Sequence, residues 1–180
     1  MMVITMNKEN KTKNSIANSL IEMLQVQPLD LISIKDLCSC AQIGRTAFYN
    51  HFKNKEDVLK YIYRKAHHEI FQDKFKDLDY LCSDLFIKDM IRFFDMNSEL
   101  LLVLHKWNLI SIIAKYNTEM SLKYIQQCND ERIKTYSDYF VCYLCSSIFN
   151  ICFLWVMNGK NLSANDLFDT TKYFQKITKP

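Results

Sequence analysis

Glycine and proline are nearly missing from this chain, with two of each in 180 residues. Folds of many short strands need frequent turn residues. The scarcity therefore argues against them and for long helices joined by short connections. It also excludes a glycine-rich phosphate loop, since Gly44 and Gly159 are too far apart to share one. Neither HExxH nor GxSxG occurs, so no enzymatic activity is expected. The N-terminus, MMVITMNKENKTK, turns polar after four residues and does not read as a secretory leader.

Seven cysteines are present, an odd number set within apolar helical patterns. Reduced thiols in a cytoplasmic setting are expected. Cys142-x-x-Cys145 and Cys38-x-Cys40 have ligand-like spacings, but no second pair follows either one. They read as core packing, and no metal or cofactor is expected.

The net charge is +3, unevenly spread. Residues 1–65 carry ten Lys/Arg against six Asp/Glu, and residues 66–180 carry thirteen against fourteen. The basic surplus thus belongs to the N-terminal third, which suits a module facing phosphates.

The most structured stretch is Ser33–Lys55, SIKDLCSCAQIGRTAFYNHFKNK. Before it, apolar residues from Ile16 to Leu24 predict a helix over about Lys8–Gln25. Lys8, Lys11 and Lys13 lie near its start, where cations oppose the helix dipole unless an anion is near. Pro28 and Asp30 end this helix. Ser33 and Asp36 form a capping box for a short helix over Ile34–Cys40. Ala41-Gln42-Ile43 is the turn, and a third helix is expected from Arg45 to about His51 with Gly44 at its N-cap. Asn54 caps the next helix, whose apolar stripe runs from Val58 to Ile70 and makes it a connector.

That is the pattern of a helix-turn-helix. Phe48 and Phe52, four apart, would lock one side of the third helix to a scaffold. Arg45, Thr46 and Asn50 would be left to meet base edges, because Arg pairs well with guanine and Asn with adenine. Tyr49, His51, Lys53 and Lys55 are candidates for phosphate oxygens, and Ser33 and Lys35 complete the DNA-facing set.

Residues from about 10 to 63 resemble the DNA-binding domain of the tetracycline-repressor (TetR) family. The resemblance rests on ISIKDLCSCAQIGRTAFYNHFKNKEDVL and above all on Phe48-Tyr49-x-His51-Phe52-x-x-Lys55. It implies an all-α fold of about nine helices, with a DNA-binding domain over 1–60 and a helical ligand-binding and dimerisation domain over 61–180. It implies that Tyr49 and Lys55 hold the DNA backbone while Arg45, Thr46 and Asn50 face bases. Two positions depart from the family pattern. Gln42 stands where glycine is usual, so a residue with a Cβ must take the turn, and Gly44 stands where a capping hydroxyl is usual.

The resemblance further implies a homodimer on a palindromic operator, released by a small-molecule inducer through the helix at residues 55–75. Candidate pocket residues are His105, Trp107, Tyr116, Met120, Tyr124 and Phe149, with plain core packing as the alternative. His67 and His68, near the seam, are expected to be exposed. A long helix is predicted over 130–158, and Tyr139–Gly159 holds 21 residues without a formal charge. A helix buried in a core and a dimer interface explains that run without a membrane. Phe140, Leu144, Ile148, Ile151 and Trp155, at spacings of 4, 4, 3 and 4, are its expected dimer face. Leu167, Phe168 and Phe174 from the last helix join them. A rival reading is a protein-interaction adaptor that keeps the fold but binds operators weakly.

Overall fold

The computed structural model describes residues 11–72, 74 and 77–177, and no strand occurs among them. The elements are α1 (Lys11–Val26), a 3-10 turn (Leu29–Leu31), α2 (Ile34–Cys40), α3 (Arg45–Tyr49) and α4 (Lys55–Phe71). There follow α5 (Leu78–Leu81), α6 (Asp84–Met96), α7 (Ser98–Lys106), α8 (Ile110–Ile125), α9 (Glu131–Thr135) and α10 (Ser137–Val141). A π-helical turn (Cys142–Ser146), α11 (Ser147–Met157) and α12 (Ala164–Ile177) complete the chain. Lys8 and the predicted first turn around it lie outside the described residues.

The chain divides into two compact units. One holds residues up to Lys65 together with Val103–Ile113, and the other holds Ala66–Leu102 and the residues from Ala114 onward. The division between the units falls inside α4, at Lys65/Ala66, and a segment from much later in the chain joins the first unit. The physical reason is visible at the C-terminal end of α1. Its last carbonyls lack intrahelical partners. Trp107 donates its indole N–H to the Leu24 carbonyl at 2.7 Å, and the Lys106 ammonium approaches the Gln25 carbonyl at 3.5 Å.

The core of the first unit is built on α1 and α4. Ile16, Ala17, Leu20 and Leu24 of α1 are fully buried, as are Leu37, Phe48 and Val58. Asn14, buried in α1, is satisfied because its side-chain oxygen accepts from Tyr61 Oη at 2.8 Å and Lys65 Nζ at 3.1 Å. This polar tie fixes the register between α1 and α4.

The second unit centres on α6, whose Phe86, Ile87, Met90, Ile91, Phe93 and Phe94 are buried. Ser83 caps it by accepting from the Phe86 N–H. Phe94 meets Phe149 of α11 edge-on at 5.0 Å. Asp89, buried in α6, accepts from Tyr80 Oη at 2.8 Å and Lys74 Nζ at 2.9 Å, so its charge is both paired and hydrogen-bonded. α12 opens on the predicted capping box, with the Asp166 N–H donating to Ser163 Oγ at 3.1 Å.

Two expectations are corrected. The long helix over 130–158 is divided. Tyr136, at φ −111 and ψ 30, separates α9 from α10, and Asp130 caps α9. His67 is buried rather than exposed, because α4 continues and lays it on the same face as Phe71, with ring centroids 4.4 Å apart; only His68 is exposed.

Burial pushes the His67 pKa down from 6.5 to about 3, with His68 adding to the shift. The neutral ring is the folded form. Its contribution is intact above pH 6.5 and is lost as pH falls from 6.5 toward 3, where the unfolded chain takes up the proton first. Between pH 7.5 and 5 the loss is about 2 kcal/mol. Urea unfolding at the two pH values should show His67→Phe losing less stability than the parent. An equal loss in both proteins would refute the assignment.

Candidate nucleic-acid interface

The site is assembled from short elements whose ends are set locally. The Ser33 hydroxyl accepts from the Asp36 N–H at 3.0 Å and donates to Asp36 Oδ2 at 2.6 Å, which starts α2 where the sequence places it. α2 ends in a Schellman motif: the Ile43 N–H reaches the Cys38 carbonyl at 3.0 Å and the Gln42 N–H the Ser39 carbonyl at 3.1 Å. The residue between must be left-handed, and Gln42 has φ 55. The same motif closes α7 with Asn108 at φ 57 and α11 with Gly159 at φ 68. Gln42 thus does the work usually given to glycine, at a steric cost of about 1–2 kcal/mol.

Gly44 is the N-cap of α3, at φ −79 and ψ 152, with no side-chain cap. α3 has only five residues, too few to be stable unaided. Packing holds it. Phe48 is fully buried and Phe52 is 6% exposed. Their rings are 6.0 Å apart, and Phe52 meets Tyr61 of α4 edge-on at 5.6 Å. Ser15 of α1 adds a hydrogen bond to the Ala41 carbonyl at 2.9 Å, behind the turn. α4 starts on Asn54, whose side chain accepts from the Asp57 N–H at 2.9 Å, while Asp57 accepts from the Lys53 N–H.

With Phe48 turned inward, Arg45, Thr46, Tyr49 and Asn50 are all exposed, and so are His51 and Lys53. α3 and its C-cap therefore offer a guanidinium and a hydroxyl at the start of the helix, and a phenol and an amide at its end. Lys35 is exposed on α2. Ser33 is exposed too, with its hydroxyl proton already donated to Asp36. Lys55 differs from the rest of the set. It is half-buried, and its ammonium donates to the Leu29 carbonyl at 2.5 Å and the Ile32 carbonyl at 2.6 Å. Sequence reasoning had no signal for this bond, because its partners lie 26 and 23 residues away.

The candidate pocket residues fall in both units. His105, exposed, and Trp107, half-buried, belong to the first unit, where Trp107 closes α1. Tyr116 and Tyr124 are half-buried in the second unit, and Met120 and Phe149 are buried there.

The expected dimer face is engaged within the chain. α10, the π turn and α11 form one 21-residue helix, Ser137–Met157, long and apolar enough by length and composition to cross a membrane. Ile148 and Trp155 are buried, Phe140, Leu144 and Ile151 are half-buried, and Trp155 donates to the Leu162 carbonyl at 2.9 Å. Leu167 is buried and Phe168 half-buried under Lys88 Nζ, 4.8 Å from its ring, while Phe174 is 46% exposed. The outward stripe of the long helix is Tyr139, Tyr143, Ser147, Asn150 and Leu154. It repeats the expected spacing one residue earlier, a turn of about 100° round the helix.

The thiols bear on the cysteine motifs. Burial pushes Cys152 up to about 12 and raises Cys38, where nearby Arg45 works the other way. Such thiols are protonated and inert. Cys142 is exposed, and the Cys145 side chain lies outside the described residues. Among the described residues no group of three or more His, Cys, Asp or Glu is arranged to hold a metal.

No family model matches the sequence. One curated relative, the HTH-type dhaKLM operon transcriptional activator DhaS of Lactococcus lactis subsp. lactis (strain IL1403), is 31% identical over 70 residues. That match covers 39% of this chain and 37% of the relative. A solved structure, the dihydroxyacetone kinase operon activator DhaS, superposes over 91% of this chain and 93% of its own with a TM-score of 0.55 and 22% identity. The all-α architecture of this chain is therefore one that a transcription regulator also adopts, with a helix-turn-helix protein as its sequence relative.

The left-handed turn yields a test at the site. Gln42 is exposed, so Gln42→Gly removes the steric cost without removing packing, and stability should rise by about 0.5–1 kcal/mol. Equilibrium urea unfolding measures this, and an unchanged or lower midpoint would contradict the strain at φ 55.

Proposed function

We propose that this chain is a sequence-specific transcriptional regulator of tetracycline-repressor type that binds a palindromic operator as a cytoplasmic homodimer. The observation that carries the reading is α3. Phe48 is buried behind it, while Arg45, Thr46, Tyr49 and Asn50 face solvent together. Arg45, Thr46 and Asn50 choose bases, and Tyr49, His51 and Lys53 hold the backbone, flanked by Ser33 and Lys35 on α2. Repression by operator occupancy is the simplest output of such a protein. Activation is the second reading, because both similar proteins are named as operon activators. Transcription in vitro from a promoter carrying the selected site distinguishes the two.

Dimerisation uses the outward stripe Tyr139, Tyr143, Ser147, Asn150 and Leu154, with Tyr173 and Phe174 of α12. Tyr139 is 77% exposed, Tyr143 74% and Leu154 59%, so the apolar helix has a face its own chain leaves uncovered. A second copy covers it without a membrane. A small molecule held near Tyr116, Met120, Tyr124 and Phe149 shifts the balance between two forms of the dimer, and α4, which ends at Phe71 rather than at residue 75, transmits the shift. Residues 73 and 75 lie outside the described residues.

Selection from random duplex DNA should return a palindrome. Arg45→Ala should cost about 1–3 kcal/mol and relax one base pair per half-site, whereas Tyr49→Ala should weaken all sequences alike. Failure to enrich any palindrome would leave the adaptor reading in its place. For the dimer, Leu154→Glu should sediment as a folded monomer with an unchanged helical spectrum. A variant that stays dimeric, or a parent protein recovered in the membrane fraction, would refute this face.

A further inference from the structure

The lysine at the start of α4 stands apart from the other basic residues of the site. Lys55 is the first residue of a 17-residue helix, where a cation opposes the dipole. Its ammonium does not lie free in solvent. It reaches back to the 3-10 turn between α1 and α2 and donates to the Leu29 and Ile32 carbonyls at 2.5 and 2.6 Å. An ammonium has three N–H donors and no acceptor. Two of the three are therefore engaged inside the first unit with no DNA present.

The two carbonyls sit at informative places. Leu29 opens the 3-10 turn, and Ile32 directly precedes Ser33, the N-cap of α2. One ammonium thus holds the end of the α1–α2 connection against the start of α4. α3 lies between α2 and α4 in the chain and is anchored to the α4 side through Phe52 and Tyr61. With α2 held by Lys55 and α3 by the aromatics, the helix pair is clamped from both ends. We infer that Lys55 is a positioning residue, a clasp that aims α3, and not a phosphate contact. This rests on the DNA-reading function proposed above and changes the role that the family resemblance implies for this position.

The two roles differ in what they predict without DNA and in salt. A phosphate contact contributes nothing to the free protein, acts alike on all sequences, and adds about 0.9 to the slope of log K against log salt concentration. A clasp stabilises the free protein, supports the operator more than other DNA, and leaves the slope alone. Lys55→Met keeps the stem and removes the donors, and Lys55→Gln is the milder variant with an amide that can keep one bond. Both are compared with the parent full-length chain on the palindrome recovered by selection and on a scrambled duplex of equal length.

The clasp predicts that the unfolding midpoint of free Lys55→Met falls by about 5–10 °C. It also predicts that the ratio of operator to scrambled affinity falls at least about tenfold at an unchanged salt slope. Lys55→Gln should lie between. If Lys55→Met does not fold without DNA, Lys55→Gln carries the test, and its affinity ratio and salt slope decide between the two roles. Unchanged stability of the free variants, with a slope lowered by about 0.9 and an equal loss on both duplexes, would overturn it. A stability loss with an intact affinity ratio would also overturn it, leaving Lys55 merely structural. If the parent shows no operator preference, the DNA-reading function fails, while the midpoint of the free variants still decides whether the clasp exists.

Discussion

Everything about the candidate interface depends on burying Phe48 and Phe52 behind a helix that could not exist alone. α3 has five residues and no side-chain N-cap, so its helical form comes from tertiary packing. A fully buried phenylalanine contributes about 1.5–3 kcal/mol, more than a cap would. That packing also sets orientation. Once Phe48 points inward, Thr46, Tyr49 and Asn50 lie about 100–160° from it round the helix and face out, while Arg45, about 60° away, is exposed at the first position of the helix. The chemistry on the outer side of α3 is thus a by-product of where the aromatics go.

The second unit obeys the same rule on a longer helix. From Tyr139 to Leu154 two stripes of equal spacing run one residue apart, one aliphatic and aromatic, the other carrying Tyr139, Tyr143, Ser147 and Asn150. The first is buried or half-buried, beside Phe149, which meets Phe94 edge-on, and the second faces out. Own-core packing takes the more apolar stripe because it buries more surface per residue. Tyrosines remain on the outside, where an amphipathic ring can lie against a partner and still present its hydroxyl.

Much of the first unit was legible locally. The bounds of α2, the caps at Ser33 and Asn54, and the left-handed turn at Gln42 follow from residues within a few positions of one another, as does the Ser163 cap in the second unit. The exposed set on α3 was legible as well, because it needs only the helical period and the inward turn of two phenylalanines. The bonds that were not legible join distant residues. Lys55 to Leu29 and Ile32, Trp107 to Leu24, and Tyr61 to Asn14 span between 23 and 83 residues. Nothing in the spacing of a lone lysine or tryptophan says which carbonyl it will meet.

The sequence by itself therefore determined the all-helical class, the caps at Ser33, Asn54 and Ser163 and the residues that turn outward on α3. These follow from turn chemistry, capping and periodicity, which act over one or two helical turns. The tertiary structure alone decided that Trp107 belongs with α1, that His67 is buried, that Ile148 and Trp155 face inward, and that Lys55 is engaged by the Leu29 and Ile32 carbonyls. Each of these depends on how remote segments approach, and that is set by the summed packing of the core rather than by any local pattern.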